Sequence, residues 1–159
     1  MKIMNKFQKK LTNRKEDNKG FSLVELIIVI AIMAILVGIV GTQVIPYINK
    51  SKVAKDQQVL NSISTAAVAA YSENGATSDM TINVFGAAPA DATQAKIQAD
   101  IKTASGYSDL AAFKKALGSD AGKNVTDVKV KFDTSTHKAT TSVTPVDAKY
   151  PIKDVEATL

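Results

Sequence analysis

The sequence predicts an α+β protein: a long N-terminal α-helix, membrane-spanning in its first half, packs its second half on a small antiparallel β-sheet head. Three observations predict this fold: an uncharged apolar run over residues 26–48, a helical apolar stripe over residues 53–71, and alternating segments near the C-terminus. The chain accordingly divides into a leader at residues 1–20, the N-terminal helix at 21–73 and a globular head at 74–159.

The apolar run is long enough to cross a membrane. Residues 26–48 are 23 residues without a charge, and a helix of this length covers a bilayer core of about 30 Å. The leader carries seven basic and two acidic side chains, so its net charge is +5, the same as the net charge of the whole chain. This charge is expected to hold the leader on the cytoplasmic side. Since the rest of the chain is neutral, no nucleic-acid binding by the mature chain is expected.

Beyond Pro46 the apolar residues continue at three- and four-residue intervals, which predicts an amphipathic helix over residues 46–73 with one buried face. Asp56 and Gln57 fall mainly on the other faces, and Asn74-Gly75 is a helix stop signal. Because the head has few aromatic residues, the apolar stripe is expected to complete its core. The stripe consists of Val53, Val59, Leu60, Ile63, Ala67, Ala70 and Tyr71.

Two helices are predicted in the first part of the head. Asp91 is expected to cap a helix that reaches about Ala104, and Ser108 to cap a helix that ends at Gly118. The stretch 118–122 has the composition of a connector.

The second part of the head predicts strands. Residues 128–132 alternate strictly between apolar and charged side chains, residues 133–138 suit a turn, and residues 139–146 form a threonine-rich returning strand. A short strand over residues 81–85 and a further strand over residues 150–155 would extend this hairpin into a sheet.

The segment Lys19-Gly20-Phe21-Ser22-Leu23-Val24-Glu25-Leu26 stands between the leader and the apolar run. It resembles the class III signal sequence of type IV pilins and related pseudopilins. The resemblance implies that a prepilin peptidase cuts between Gly20 and Phe21 and that the new N-terminus of Phe21 is methylated. A secretory signal is cut after its apolar segment, whereas a cut after Gly20 leaves the membrane anchor on the product.

Glu25 is the acidic residue of this segment. A carboxylate at the edge of a spanning helix is costly, about 3 kcal/mol near the bilayer centre and less toward the interface. After cleavage, the α-amino group of Phe21 lies four residues back on the same helical face and could neutralise it. The alternative is a solvated Glu25 at the headgroup level. The resemblance favours pairing with Phe21 of a neighbouring subunit during assembly.

Gly38, Gly41 and Pro46 weaken the helix, because glycine costs about 1 kcal/mol relative to alanine and proline lacks the amide hydrogen. Similar filaments lose helicity locally in this region, which suggests the same here. Many relatives of this type have a proline where this chain has Thr42. A gentle kink, or close packing at the small residues, is the alternative.

The resemblance implies a structural subunit of a type IV pilus, without enzymatic activity, cofactor or metal. Its expected partners are copies of itself, the prepilin peptidase, the pilus assembly machinery and minor pilins. It would lie in the cytoplasmic membrane before assembly and in an extracellular surface filament afterwards. Two alternatives stay open: a pseudopilin of a type II secretion or competence DNA-uptake system, and a membrane-anchored binding protein that does not polymerise.

Other candidate sites carry weaker signals. His137 lies in a predicted turn and is expected to be solvated, and the acidic residues of the head lack calcium-loop spacing. Asn124-Val125-Thr126 fits a glycosylation sequon, and residues 134–144 could accept O-linked sugars or form an exposed strand face.

Overall fold

The computed structural model describes residues 20–159. The predictions for residues 1–19 of the leader lie outside the described residues. The described chain forms two compact units, one that ends at Val44 and one from Ile45 to Leu159.

The first unit is helical and apolar. Helix α1 spans Leu23–Ile39, and a π-helical turn follows at Val40–Val44. None of these residues is buried within the chain. The whole helical run extends from Leu23 to Glu73 and contains one segment that is long and apolar enough to cross a membrane. The predicted long N-terminal helix is therefore confirmed.

The second unit combines a helix, a four-stranded sheet and three shorter helices. Its elements are α2 (Ile45–Glu73), β1 (Met80–Asn83), α3 (Ala92–Ser105), α4 (Leu110–Ala116), α5 (Asp120–Lys123), β2 (Asp127–Asp133), β3 (Lys138–Thr144) and β4 (Val155–Thr158). The strands lie in the order β1-β2-β3-β4, and every neighbouring pair is antiparallel. This arrangement confirms the predicted α+β class.

The core lies between α2, α3 and one face of the sheet. The stripe on α2 buries Leu60, Ile63, Ala67, Ala70 and Tyr71, as its spacing predicts. Strands β2 and β3 alternate, so that every second side chain enters the core. The Tyr71 ring stacks on Phe132 with a centroid distance of 4.6 Å, which joins α2 to the central hairpin.

The end of α2 is closed by a glycine turn. Gly75 has a φ of 60°, a left-handed conformation that glycine adopts without steric cost, and its N–H donates to the Ser72 carbonyl at 3.0 Å. The Asn74 amide donates to the Asp100 carboxylate on α3 at 2.8 Å. The predicted stop signal is therefore confirmed.

The turn between β2 and β3 is organised by Asp133. Its Oδ1 accepts hydrogen bonds from the Ser135 hydroxyl at 2.6 Å and the Thr136 N–H at 3.0 Å. These donors stabilise the carboxylate and lower the pKa of Asp133 to about 2. His137 lies in the same turn with its side chain exposed and a φ of 53°.

The prediction of a strand over residues 150–155 is wrong. The last strand is β4, at Val155–Thr158, and the preceding segment follows α2 instead. The Gln57 side chain donates to the Lys153 carbonyl at 2.7 Å and accepts from the Lys153 N–H at 2.9 Å. Because both backbone groups of Lys153 are bound by a helix side chain, they are not available to a sheet.

The predicted cap at Ser108 is also wrong, by one residue. Asp109 is the N-cap of α4, and its Oδ1 accepts the Ala112 N–H at 2.7 Å. A carboxylate is a stronger acceptor than a hydroxyl, and the Ser108 hydroxyl itself donates to Asp109. Asp91 caps α3 as predicted.

Residues 118–122 are more than a connector, because they include the start of α5 and bind Asp56. The Asp56 side chain is fully buried, contrary to its expected place on another face of the helix. Its carboxylate accepts the N–H groups of Gly118 at 2.7 Å and Ser119 at 3.0 Å, and also the Ser119 hydroxyl. Burial is tolerated because three donors replace water.

Candidate processing and assembly site

The start of helix α1 is set by a capping box. Ser22 is the N-cap, with extended backbone angles of φ −64° and ψ 142°. Its hydroxyl oxygen accepts the Val24 N–H at 3.3 Å, and the Glu25 Oε2 accepts the Ser22 N–H at 2.9 Å. This reciprocal arrangement satisfies helix N–H groups that have no partner within the helix. Sequence reasoning missed it, although Ser22-x-x-Glu25 carries the required S-x-x-E spacing.

The predicted scissile bond lies just outside the helix. Gly20 and Phe21 precede the N-cap, both are exposed, and the Phe21 side chain is 88% exposed. A Cβ built on Gly20 would meet no described atom within 4 Å. The described fold therefore has no steric need for glycine at position 20.

The Glu25 side chain is exposed and points back toward the start of the helix. Its carboxylate binds the N–H of Ser22, the residue next to Phe21. A negative charge is also favoured at this end by the helix dipole. The structure thus places Glu25 beside the position where cleavage would create an amine, and its pairing with that amine stays a prediction.

The apolar surface of α1 has no partner within the described chain. Its large apolar side chains are exposed over 44% to 73% of their surface, with Val29 and Leu23 as the extremes. Soluble proteins rarely leave so large a continuous apolar surface in water. Lipid, other protein chains, or both in turn would have to cover it.

Between Gly38 and Pro46, residues Val40–Val44 depart from α-helical geometry. This π-helical turn ends two residues before Pro46, and the Thr42 hydroxyl donates to the Gly38 carbonyl at 2.9 Å. Cβ atoms built on Gly38 and Gly41 would meet nothing within 4 Å. A local loss of helicity at Gly38, Gly41 and Pro46 in a filament stays a prediction.

The remaining candidates lie on the surface of the head. Asn124 is exposed at the C-cap of α5, and residues 134–144 form the turn and strand β3, in which Thr141 is buried. No contact of these residues points to a catalytic or binding role, and their modification stays a prediction.

These features together define a class of protein: one with an exposed apolar helix that starts just after a candidate cleavage point and continues into a small α+β head. Residues 17–41 match the family model of the prokaryotic N-terminal methylation motif. The chain therefore carries the class III signal peptide of type IV pilins and pseudopilins. The match covers the predicted cleavage point and all of α1, but no part of the head. Neither the curated proteins nor the solved structures give a significant match.

The motif and the apolar helix support a pilin-like precursor with a membrane anchor, and the motif belongs to structural proteins rather than to a class of enzymes. Such a precursor is one that a prepilin peptidase processes and that polymerises.

Proposed function

We propose that this protein is the structural subunit of a type IV pilus. The leader of residues 1–20 is removed by a prepilin peptidase, Phe21 is methylated, and the mature chain polymerises through its N-terminal helix. Before assembly it is anchored in the cytoplasmic membrane, and afterwards it forms an extracellular filament. The pilus assembly machinery and minor pilins act with it, and the subunit itself has a structural rather than a catalytic role.

The observation that carries this proposal is the contrast between the two halves of the long helix. The α2 half buries Leu60, Ile63 and Tyr71 in the head, whereas α1 buries no residue at all. A cut after Gly20 would leave α1 on the product. In the membrane, lipid covers α1, and in a filament the same surface is covered by α1 of other subunits.

Gly38 and Gly41 add support. A Cβ built on either glycine would meet no described side chain within 4 Å, so the subunit's own packing gives no reason for small residues there. Small residues do allow two helices to approach closely in an apolar environment. We therefore assign these glycines to contacts between subunits.

Glu25 is assigned to assembly, because its carboxylate already lies at the end of the helix that cleavage exposes. During assembly, the amine of Phe21 from a neighbouring subunit would neutralise this carboxylate. Such a pair would fix the axial position of each incoming helix.

The decisive experiment is mass spectrometry of the N-terminal peptide from sheared surface material. A peptide that begins with methylated Phe21 is expected, and a chain that still begins with Met1 would contradict the proposal. Deletion should remove surface fibres. A secretion or DNA-uptake defect in cells that never had such fibres would instead favour a pseudopilin.

The role of Glu25 is tested by Glu25→Gln, because glutamine at the third helical position still completes a capping box but carries no charge. We expect this variant to be cleaved and to be absent from fibres. Glu73→Gln, at the exposed far end of the same helical run, is the matched control and should assemble normally. Normal fibres from Glu25→Gln would refute the assembly role of the charge.

A further inference from the structure

A depression of about 380 Å³ lies at the N-terminal end of α2, beside the segment that precedes β4. We call it the lysine pocket. Its lining residues are Lys50, Val53, Lys149, Tyr150, Pro151 and Lys153. The lining thus holds three ammonium groups and no carboxylate. Among residues 20–159, the three ion pairs found involve none of these lysines, so their charges are open to an external anion.

The backbone that presents two of the lysines is held firmly. The Asp147 Oδ1 accepts the N–H groups of Lys149 at 2.8 Å and Tyr150 at 2.6 Å, which forms an Asx turn. Ile152 is 3% exposed and anchors the segment in the core, and Gln57 binds both backbone groups of Lys153. The pocket is therefore preorganised, and binding an anion there would order little additional backbone.

The pocket walls suit an amphipathic ligand. The Lys149 ammonium lies 5.5 Å from the centre of the Tyr150 ring, a cation–π contact that holds both side chains at the rim. Val53 adds an apolar wall. Phosphate oxygens could meet the lysines while a glycerol group and the first acyl carbons contact Val53 and the tyrosine ring.

The position of the pocket along α2 indicates which anion it meets. The uncharged run ends at Ile48, and Lys50 and Val53 follow within five residues, or about 8 Å of helix. Tyr47, just before this end, is 75% exposed, and tyrosine is typical of the membrane–water interface. When the uncharged run crosses a bilayer, the lysine pocket lies at the level of the headgroups.

We propose that the lysine pocket binds the phosphate group of an anionic phospholipid in the membrane that anchors the protein before assembly. This inference depends on the proposed function only in requiring that the apolar helix spans a membrane. The bound lipid would hold the head against the bilayer, and the contact would break when the subunit is extracted.

The test uses the full mature chain in a neutral maltoside detergent. It is titrated with dihexanoyl phosphatidylglycerol, dihexanoyl phosphatidylcholine or inorganic phosphate, and binding is followed by NMR signals of Val53 and Tyr150. A lysine near an anionic lipid contributes about fivefold in affinity. The double variant Lys149→Gln/Lys153→Gln should therefore bind phosphatidylglycerol about 25-fold more weakly. This variant should fold normally, because Gln57 contacts only the backbone atoms of residue 153.

The matched control is Lys96→Gln/Lys115→Gln, which removes two exposed lysines from α3 and α4 and should leave the affinity unchanged. Equal affinity for phosphatidylglycerol in the Lys149/Lys153 variant would overturn the proposal. So would equal binding of phosphatidylcholine. Inorganic phosphate that binds as tightly as phosphatidylglycerol would indicate a free-anion site instead. Lysine-dependent dimers without lipid would indicate a neighbouring subunit.

The N-terminal mass of the same sample separates this inference from the proposed function. A chain without methylated Phe21 would count against the pilin proposal, whereas the lipid affinity would still be measured. Conversely, a correctly processed chain with no lipid preference would refute the lipid site alone.

Discussion

Replacing Asp56 by alanine should loosen the attachment of the head to its helix. The carboxylate is fully buried and accepts hydrogen bonds from Gly118, Ser119 and the Ser119 hydroxyl. No basic side chain is ion-paired with it among the described residues. These three contacts join α2 to the start of α5, more than sixty residues later in the chain. They are therefore long-range contacts that form only in the folded head.

The magnitude follows from the donors that would lose their acceptor. Each hydrogen bond to a charged group contributes about 1.5–3 kcal/mol, and water that enters the space left by the side chain restores part of this. We expect Asp56→Ala to lower the free energy of unfolding by about 3–5 kcal/mol. Asp56→Asn should lower it by less, because one acceptor oxygen is retained while the amide NH₂ faces a donor.

The measurement is urea unfolding of the full mature chain in neutral detergent, followed by the near-ultraviolet circular dichroism of the tyrosines. A double-mutant cycle with Ser119→Ala should give a coupling energy of about 1–3 kcal/mol. Asp154→Ala, an exposed acidic residue of the head, is the control and should change the free energy by less than about 0.5 kcal/mol. An Asp56→Ala variant as stable as this control would refute the reasoning.

Three further predictions concern polar contacts at other positions. Gln57→Ala should free residue 153 from α2 and raise the hydrogen-exchange rate of the Lys153 amide, whereas Gln57→Glu should keep one of the two hydrogen bonds to residue 153. An unchanged exchange rate in Gln57→Ala would contradict a role of Gln57 in holding this segment. The pKa of Asp133, about 2 when folded, lies below its ordinary value of 3.8, so the carboxylate stabilises the fold above about pH 4 and this stabilisation is lost as the pH falls toward 2. NMR titration of the Asp133 carboxyl should show the lowered pKa, and Asp133→Asn should abolish the pH dependence of stability. A carboxyl that titrates at the ordinary value would refute the prediction. Ser22→Ala should raise the rate of amide exchange in the first turn of α1 by about fivefold, because an N-cap stabilises a helix by roughly 1 kcal/mol. Ser22→Thr should restore the protection, and equal exchange rates in the two variants would argue against the capping box.

The long helix could be predicted from sequence because its signals are local. An uncharged run, a repeat of apolar residues every three or four positions, and Asn74-Gly75 at the end act within a few residues of one another. The β2–β3 hairpin was predictable for the same reason, since strict alternation and a polar turn are neighbours in the chain.

Apart from the cap of α4, which is Asp109 rather than its neighbour Ser108, the errors concern contacts between distant residues. Whether residues 150–155 pair with a strand or follow α2 is decided by Gln57, almost one hundred positions earlier. The burial of Asp56 depends on N–H groups that the chain supplies only at residues 118 and 119. Neither partner is visible in the local pattern, which gives Asp56 and Gln57 the character of solvated helix residues.

The candidate processing site divides in the same way. The sequence by itself determined the methylation motif at residues 17–41 and the apolar helix that follows it, and it predicts the Gly20-Phe21 cleavage point, because such a motif is defined by the order of its residues. The tertiary structure alone decided what the head does with the second half of that helix. It buries Asp56 and shapes the lysine pocket, since both depend on side chains that meet only when the chain has folded.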